Sequence, residues 1–143
     1  MKEFILATLL LIFAYTDIKY LRIPKFIVFS AIIAGVVLTG YFIETITAFV
    51  LMSILCQSNL KPQYVPKGFI RFAEGDIKLF TMVASFIGWM FIPSFLATLL
   101  SIRIYRFLFN RRHGLPVAPF ACVSTIFIIT AVAVLQIVWR AVA

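Results

Sequence analysis

Two aspartates are the residues of this chain best suited to do chemistry: Asp17, in the run FAYTDIKYLRIPK, and Asp76, in AEGDIKLF. Each lies beside a long apolar stretch in a sequence that has only five acidic residues. An ionisable side chain near a membrane-spanning segment is energetically costly, so such residues usually mark functional sites. Two carboxyl groups in contact do not both ionise readily, so one stays protonated while the other acts as a base. Such a pair can activate water and polarise a peptide carbonyl, which is the chemistry of aspartic proteolysis.

The elements that position these aspartates are predicted to be membrane helices. The chain has 143 residues, of which 64% are hydrophobic and 13% charged, and this is too apolar for the core of one small water-soluble domain. Apolar runs of about 17–25 residues, shortened where their ends can snorkel, indicate transmembrane helices. They predict an all-α polytopic bundle with spans at 4–20, 24–40, 42–56, 77–92, 94–110 and 117–139. We expect a single membrane-embedded domain, 1–143, with a cytoplasmic or interfacial loop at about 57–76.

The placement of lysine and arginine predicts the orientation of the bundle. Of the 13 basic residues, all except Lys2 and Arg140 flank the first, third and fifth connections. Those connections are therefore expected to be cytoplasmic and both termini extracytoplasmic, in a multi-pass protein of the inner membrane. Contact with anionic lipid headgroups explains the net charge of +8. Nucleic acid is not expected as a partner, because the cations are spread over three short connections.

The N-terminal apolar run is interpreted as a retained first helix and not as a cleaved signal peptide. Glu3 weakens the basic start that a signal peptide requires, and the run continues into Asp17. With this helix retained, Asp17 lies near its cytoplasmic end and Asp76 lies at the beginning of the fourth helix, so both share one membrane face. We expect Asp76 to be the base, because it lies at a helix N-terminus, and Asp17 the acid, because it lies near a C-terminus.

Other interpretations of the two aspartates remain open. Each could be an ordinary interfacial residue, and Asp76 could cap the fourth helix after a turn at Gly75. Paired carboxylates in membranes also serve proton or cation transport, so a small transporter subunit or a non-catalytic membrane partner is the alternative function.

Cysteine and histidine offer no further site. The chain has two cysteines, Cys56 and Cys122, and one histidine, His113, with no CxxC pair. A zinc site built from thiolates and imidazoles is therefore not expected, and we predict neither a metal nor a cofactor. Both cysteines are interpreted as small apolar residues.

Three motifs occur in a fixed order along the chain. Asp17 ends the first apolar run and is followed by Arg22-Ile23-Pro24; Gly75–Leu79 reads Gly-Asp-Ile-Lys-Leu; and a proline-containing segment, Leu115–Phe120, precedes the last apolar run. In this combination the chain resembles the prepilin peptidases, membrane aspartic proteases of the GxGD type that process type IV prepilins and pseudopilins. It departs from their pattern at two positions. Ala73 replaces the first glycine of GxGD and cannot reach all of glycine's conformations, and Lys25 replaces the asparagine that follows Ile-Pro.

The resemblance implies an activity, a substrate and a catalytic pair. It implies an aspartic endopeptidase that uses Asp17 and Asp76 to remove the basic leader from prepilin-like precursors at the cytoplasmic membrane face. Larger family members carry a cysteine-rich insertion and methylate the new terminus, and this chain has no such insertion, so neither methyl transfer nor S-adenosylmethionine is expected. Glu74 is a candidate contact for the leader or else a plain surface residue. The sequence gives no indication of the oligomeric state.

Overall fold

The computed structural model describes residues 1–20, 23–55, 74–109 and 116–143, and these residues form six α-helices without a strand. The all-α prediction is confirmed. Most of the predicted loop at about 57–76 lies outside the described residues, as do Ala73, Cys56 and His113, so the predictions about them stay predictions. In chain order the helices are α1 (Lys2–Tyr20), α2 (Lys25–Thr39), α3 (Phe42–Leu55), α4 (Glu74–Ile87), α5 (Phe91–Phe109) and α6 (Ala118–Val142).

A glycine turn reverses the chain between α2 and α3. The main chain of Gly40 has φ 74°, and its N–H donates to the carbonyl of Val36 over 2.8 Å. This left-handed conformation is disfavoured for residues with a Cβ atom, which explains the glycine at the end of α2. Helix α3 then begins at Phe42.

The fourth helix differs from its predicted position. The prediction was 77–92, whereas α4 begins at Glu74, ends at Ile87 and is followed by a single 3₁₀ turn, Gly88–Met90. The rings of Phe80 and Phe95 lie 5.0 Å apart, although a straight helix would separate them by about 22 Å. The chain therefore reverses at Gly88, which has φ 59°. Pro93 was expected between the fourth and fifth helices and instead lies in the first turn of α5. Backbone N–H groups at this position have no partner within the helix, so a proline there loses no hydrogen bond.

Helix α4 is the centre of the bundle, and α2 runs parallel to it. The Thr39 hydroxyl donates to the carbonyl of Ser85 over 2.7 Å, and a Cβ atom added at Gly35 would lie 2.9 Å from that of Ser85. At the other end of the same pair, Ile23 lies against Gly75. Side chains on every face of α4 are buried, among them Leu79, Phe80, Met82, Val83 and Phe86.

The remaining helices complete an alternating arrangement. Tyr105 of α5 packs on Phe120 of α6 with ring centroids 5.4 Å apart, so the end of α5 meets the start of α6. Tyr41, just before α3, lies against Gly88 at the end of α4. Asp17, near the end of α1, accepts a hydrogen bond from Ala118 at the start of α6. The C-terminal ends of α1, α3 and α5 and the N-terminal ends of α2, α4 and α6 therefore lie together. We call this the aspartate end, because it holds both Asp17 and Asp76.

The outer surface of the bundle is apolar. Large hydrophobic side chains that face outward include Phe26, Val37, Phe107, Phe127 and Val142. By length and composition, two stretches of the described residues could cross a membrane: Ala118–Val142, and Glu74–Phe109, which the reversal at Gly88 divides into α4 and α5. A water-soluble monomer rarely exposes so much apolar surface, whereas helices whose backbone bonds are satisfied internally suit a lipid environment. Six membrane spans and their orientation stay predictions.

Candidate active site

Asp17 lies in the last turn of α1 and is buried, with 8% of its surface exposed. Its Oδ2 atom accepts a hydrogen bond of 2.9 Å from the backbone N–H of Ala118. Ala118 is the first residue of α6, and the first N–H groups of a helix have no partner within that helix. Asp17 thus supplies from α1 the acceptor that the start of α6 lacks, and this bond fixes the orientation of its carboxyl group.

The sequence at the start of α6 suits this contact. Pro119 is the second residue of the helix and has no N–H of its own, so it tolerates a position where such groups are unpaired. Ala118 is fully buried, and its side chain is small. The predicted proline-containing motif before the last helix therefore marks a helix start whose first donor faces Asp17. The sequence showed that a helix begins here, but it did not show which side chain its N–H would meet.

Asp76 is the third residue of α4 and is also buried, with 7% exposed. The interpretation of Asp76 as a cap preceding the helix is wrong, because the helix begins before it, at Glu74. Gly75 does not make a turn either: it lies within the helix and has no positive φ. A Cβ atom added at Gly75 would lie 3.7 Å from Cδ1 of Ile23, an ordinary contact distance.

The two aspartates lie at the same end of neighbouring helices, because α1 and α4 contact each other. The sequence placed only Asp76 at a helix N-terminus, whereas in the structure Asp17 also faces one, that of α6. Because a helix N-terminus favours the ionised carboxylate at both positions, the helix ends do not indicate which aspartate is the base. The assignment of Asp76 as base and Asp17 as acid stays a prediction.

An ion-paired group lies beside Asp76 at the aspartate end. The Oε1 atom of Glu74 lies 2.6 Å from Nζ of Lys78 and 3.9 Å from Nζ of Lys25. The ammonium of Lys78 also lies 5.7 Å from the centre of the Phe29 ring, and its side chain is only 12% exposed. Lys25, one of the two departures from the resembled pattern, is thus in contact with the residue two positions before Asp76. Lys25 and Glu74 each stand out in the sequence, but no pattern in it indicates that they pair.

Comparison with known proteins gives one family. The model described as the type IV leader peptidase family matches residues 4–138, which include both aspartates, the whole of α2 to α5 and most of α1 and α6. No curated protein and no solved structure matches the chain significantly.

Proposed function

Because this chain belongs to the type IV leader peptidase family, we propose that it is a membrane aspartic endopeptidase that removes the basic leader from type IV prepilin-like or pseudopilin precursors. The observation that supports this most directly is the burial of Asp17 and Asp76 at one end of neighbouring helices. Two buried carboxyl groups in a membrane protein are expensive to maintain. Peptide hydrolysis requires both of them, one as the base and the other as the acid.

The proposed reaction uses the two carboxyl groups in opposite protonation states. The ionised group, assigned to Asp76, takes a proton from a water molecule, and the water oxygen attacks the scissile carbonyl carbon. The protonated group, assigned to Asp17, donates its proton to the carbonyl oxygen. As the C–N bond breaks, Asp76 passes the proton that it took from water to the leaving amine, and a hydroxyl of the tetrahedral intermediate returns a proton to Asp17 as the carbonyl re-forms. The bond from Ala118 occupies Oδ2 of Asp17, so we assign the proton donor to Oδ1.

The setting we propose for this reaction is the cytoplasmic face of the inner membrane. In this arrangement all six helices span the bilayer, both termini are extracytoplasmic, and lipid covers the apolar outer surface. The support is the concentration of lysine and arginine at the connections of the aspartate end. We propose no metal, cofactor or methyl donor for the reaction.

The experiment that tests the proposal is co-expression with candidate precursors, scored as a shift in precursor mobility. Wild type should shorten at least one precursor, while Asp17→Asn and Asp76→Asn should insert into the membrane and leave it intact. Glu44→Gln is the matched control, since it neutralises a carboxylate in the first turn of α3, at the opposite end of the bundle. Purified enzyme should also cut in detergent, where a transporter has no gradient to use. Full processing by either aspartate variant would remove the pair from the mechanism.

A further inference from the structure

We propose that Glu74 is the residue that selects the basic leader of the substrate, through direct contact of its carboxylate with a leader lysine or arginine. This inference rests on the proposed function and adds a specificity-determining residue outside the catalytic pair.

The distribution of acidic residues singles out Glu74. All five acidic residues lie in the described part of the chain. Glu3 and Glu44 begin α1 and α3, so they lie at the end opposite the aspartates. The two aspartates are at most 8% exposed, whereas the Glu74 side chain is 65% exposed. Glu74 is therefore the one exposed carboxylate of this protein at the end where the leader must bind.

The contacts of Glu74 show that it binds ammonium groups in two different ways. Lys78 is held closely at 2.6 Å, and this bond orients the glutamate along the first turn of α4. Lys25 lies at 3.9 Å and is 73% exposed, so its pairing with Glu74 is worth about 0–1 kcal/mol. Among the described residues, both lysines contact the same oxygen, Oε1, and a carboxylate can accept up to about four hydrogen bonds. A leader cation can join Glu74 or displace Lys25 at little energetic expense.

The position of Glu74 relative to Asp76 limits which leader residue it can reach. The two residues are separated by one position within α4, and a helix with its side chains is about 10–12 Å across. An extended substrate advances about 3.3–3.6 Å per residue. The contacted cation therefore lies within roughly four residues of the scissile bond, on its leader side.

The first test compares Glu74→Gln with wild type on a precursor with a basic leader, in nanodiscs of neutral lipid so that anionic headgroups do not attract the leader. KM should rise about 2- to 5-fold, as expected for loss of an exposed ion pair, while kcat stays unchanged. The rise should disappear at about 1 M salt, where such pairs are screened. Glu3→Gln is the matched control, because it removes the same charge at the other end of the bundle, and it should leave KM unchanged.

Lys25→Gln gives a test of opposite sign. It removes the cation that competes for Glu74, so KM for the basic precursor should fall. A lysine scan of the leader should show that only cations within about four residues of the cut respond to Glu74→Gln. Equal KM values for wild type and Glu74→Gln would overturn the inference. So would an equal rise in KM from Glu74→Gln on a precursor whose leader cations are replaced by alanine.

A binding measurement separates failure of this inference from failure of the proposed function. The probe is a fluorescent synthetic peptide with a lysine-containing leader followed by an apolar helix, bound to Asp76→Asn in the same nanodiscs. If wild type cleaves the precursor and Glu74→Gln does not change the affinity for the peptide, the specificity role of Glu74 is contradicted and the peptidase is not. Binding that depends on Glu74 without any cleavage by wild type would contradict the peptidase and leave the contact in place.

Discussion

Replacing Asp17 by asparagine and, separately, by alanine distinguishes its part in catalysis from its part in holding the start of α6. Asparagine keeps a side-chain oxygen that can accept the 2.9 Å hydrogen bond from Ala118, but it cannot exchange a proton. Alanine removes the acceptor and leaves the N–H of Ala118 buried without its partner. Both variants should lose processing by at least about 10²-fold, since a positioned acid or base contributes about 10²–10⁴ in rate.

The two variants should differ in stability. In the protonated state that we assign to Asp17, its hydrogen bond with Ala118 joins two neutral groups and contributes about 0.5–1.5 kcal/mol. An asparagine oxygen accepts a bond of the same kind, so Asp17→Asn should lose about 1 kcal/mol or less. A buried donor left unpaired costs about 1–3 kcal/mol, and Asp17→Ala also removes buried side-chain atoms from α1. We therefore expect the alanine variant to be less stable than the asparagine variant by about 1–2 kcal/mol.

The assay is unfolding of the purified protein by SDS in mixed micelles, followed by circular dichroism, beside the processing assay on the same preparations. Asp76→Asn provides the catalytic control, and Glu44→Gln controls for loss of one carboxylate elsewhere. Equal free energies of unfolding for the two Asp17 variants would show that the bond to Ala118 does not stabilise the bundle. Processing at the wild-type rate by Asp17→Asn would refute the catalytic role itself.

Two further predictions concern packing and orientation. Gly35→Ala should lower the free energy of unfolding by about 1–3 kcal/mol, because the added Cβ would lie 2.9 Å from that of Ser85. The Cβ added by Gly75→Ala would lie 3.7 Å from its nearest neighbour, Cδ1 of Ile23. That substitution should leave the free energy of unfolding unchanged or raise it by about 0.5–1 kcal/mol. The SDS titration measures both, and equal losses at the two glycines would mean that α2 does not approach α4 as described. In intact cells, cysteines introduced at Lys67 or Arg111 should resist a membrane-impermeant thiol reagent added from outside. Efficient labelling there would show that the orientation is the opposite one and that the aspartate end lies at the outer face.

The helices were largely predictable because each apolar run ends in residues that mark its limits. The span predicted at 24–40 matches α2 to within one residue at each end, with Pro24 just before the helix and Gly40 just after it. The fourth helix was placed wrongly because the chain stays apolar through Gly88-Trp89-Met90-Phe91, so hydropathy gave no sign of the reversal. Gly88 was the only local indication of the turn. The turn was predicted at Pro93, five residues after its position in the structure.

The candidate site was predictable as a pair of residues and not as a set of contacts. Asp17 and Asp76 stood out because ionisable groups are rare in this chain, and alternation of the helices sufficed to place both at one end. The bond from Ala118 to Asp17 spans 101 positions, and no local pattern in one sequence encodes such a distant partner. The pairing of Lys25 with Glu74 was hidden for the same reason, since it depends on how α2 packs beside α4.

The bond between Asp17 and Ala118 also sets an order of events during synthesis. Asp17 leaves the ribosome 101 residues before Ala118 does, which at about 5–20 residues per second is a delay of roughly 5–20 s. Throughout that interval the carboxyl group that we assign to catalysis has not met the N–H that orients it. A nascent chain that has completed only its first five helices is thus expected to be inactive, and activity should appear only once the start of α6 has met Asp17. A split protein divided between α5 and α6 should regain activity when both pieces are made in the same cell.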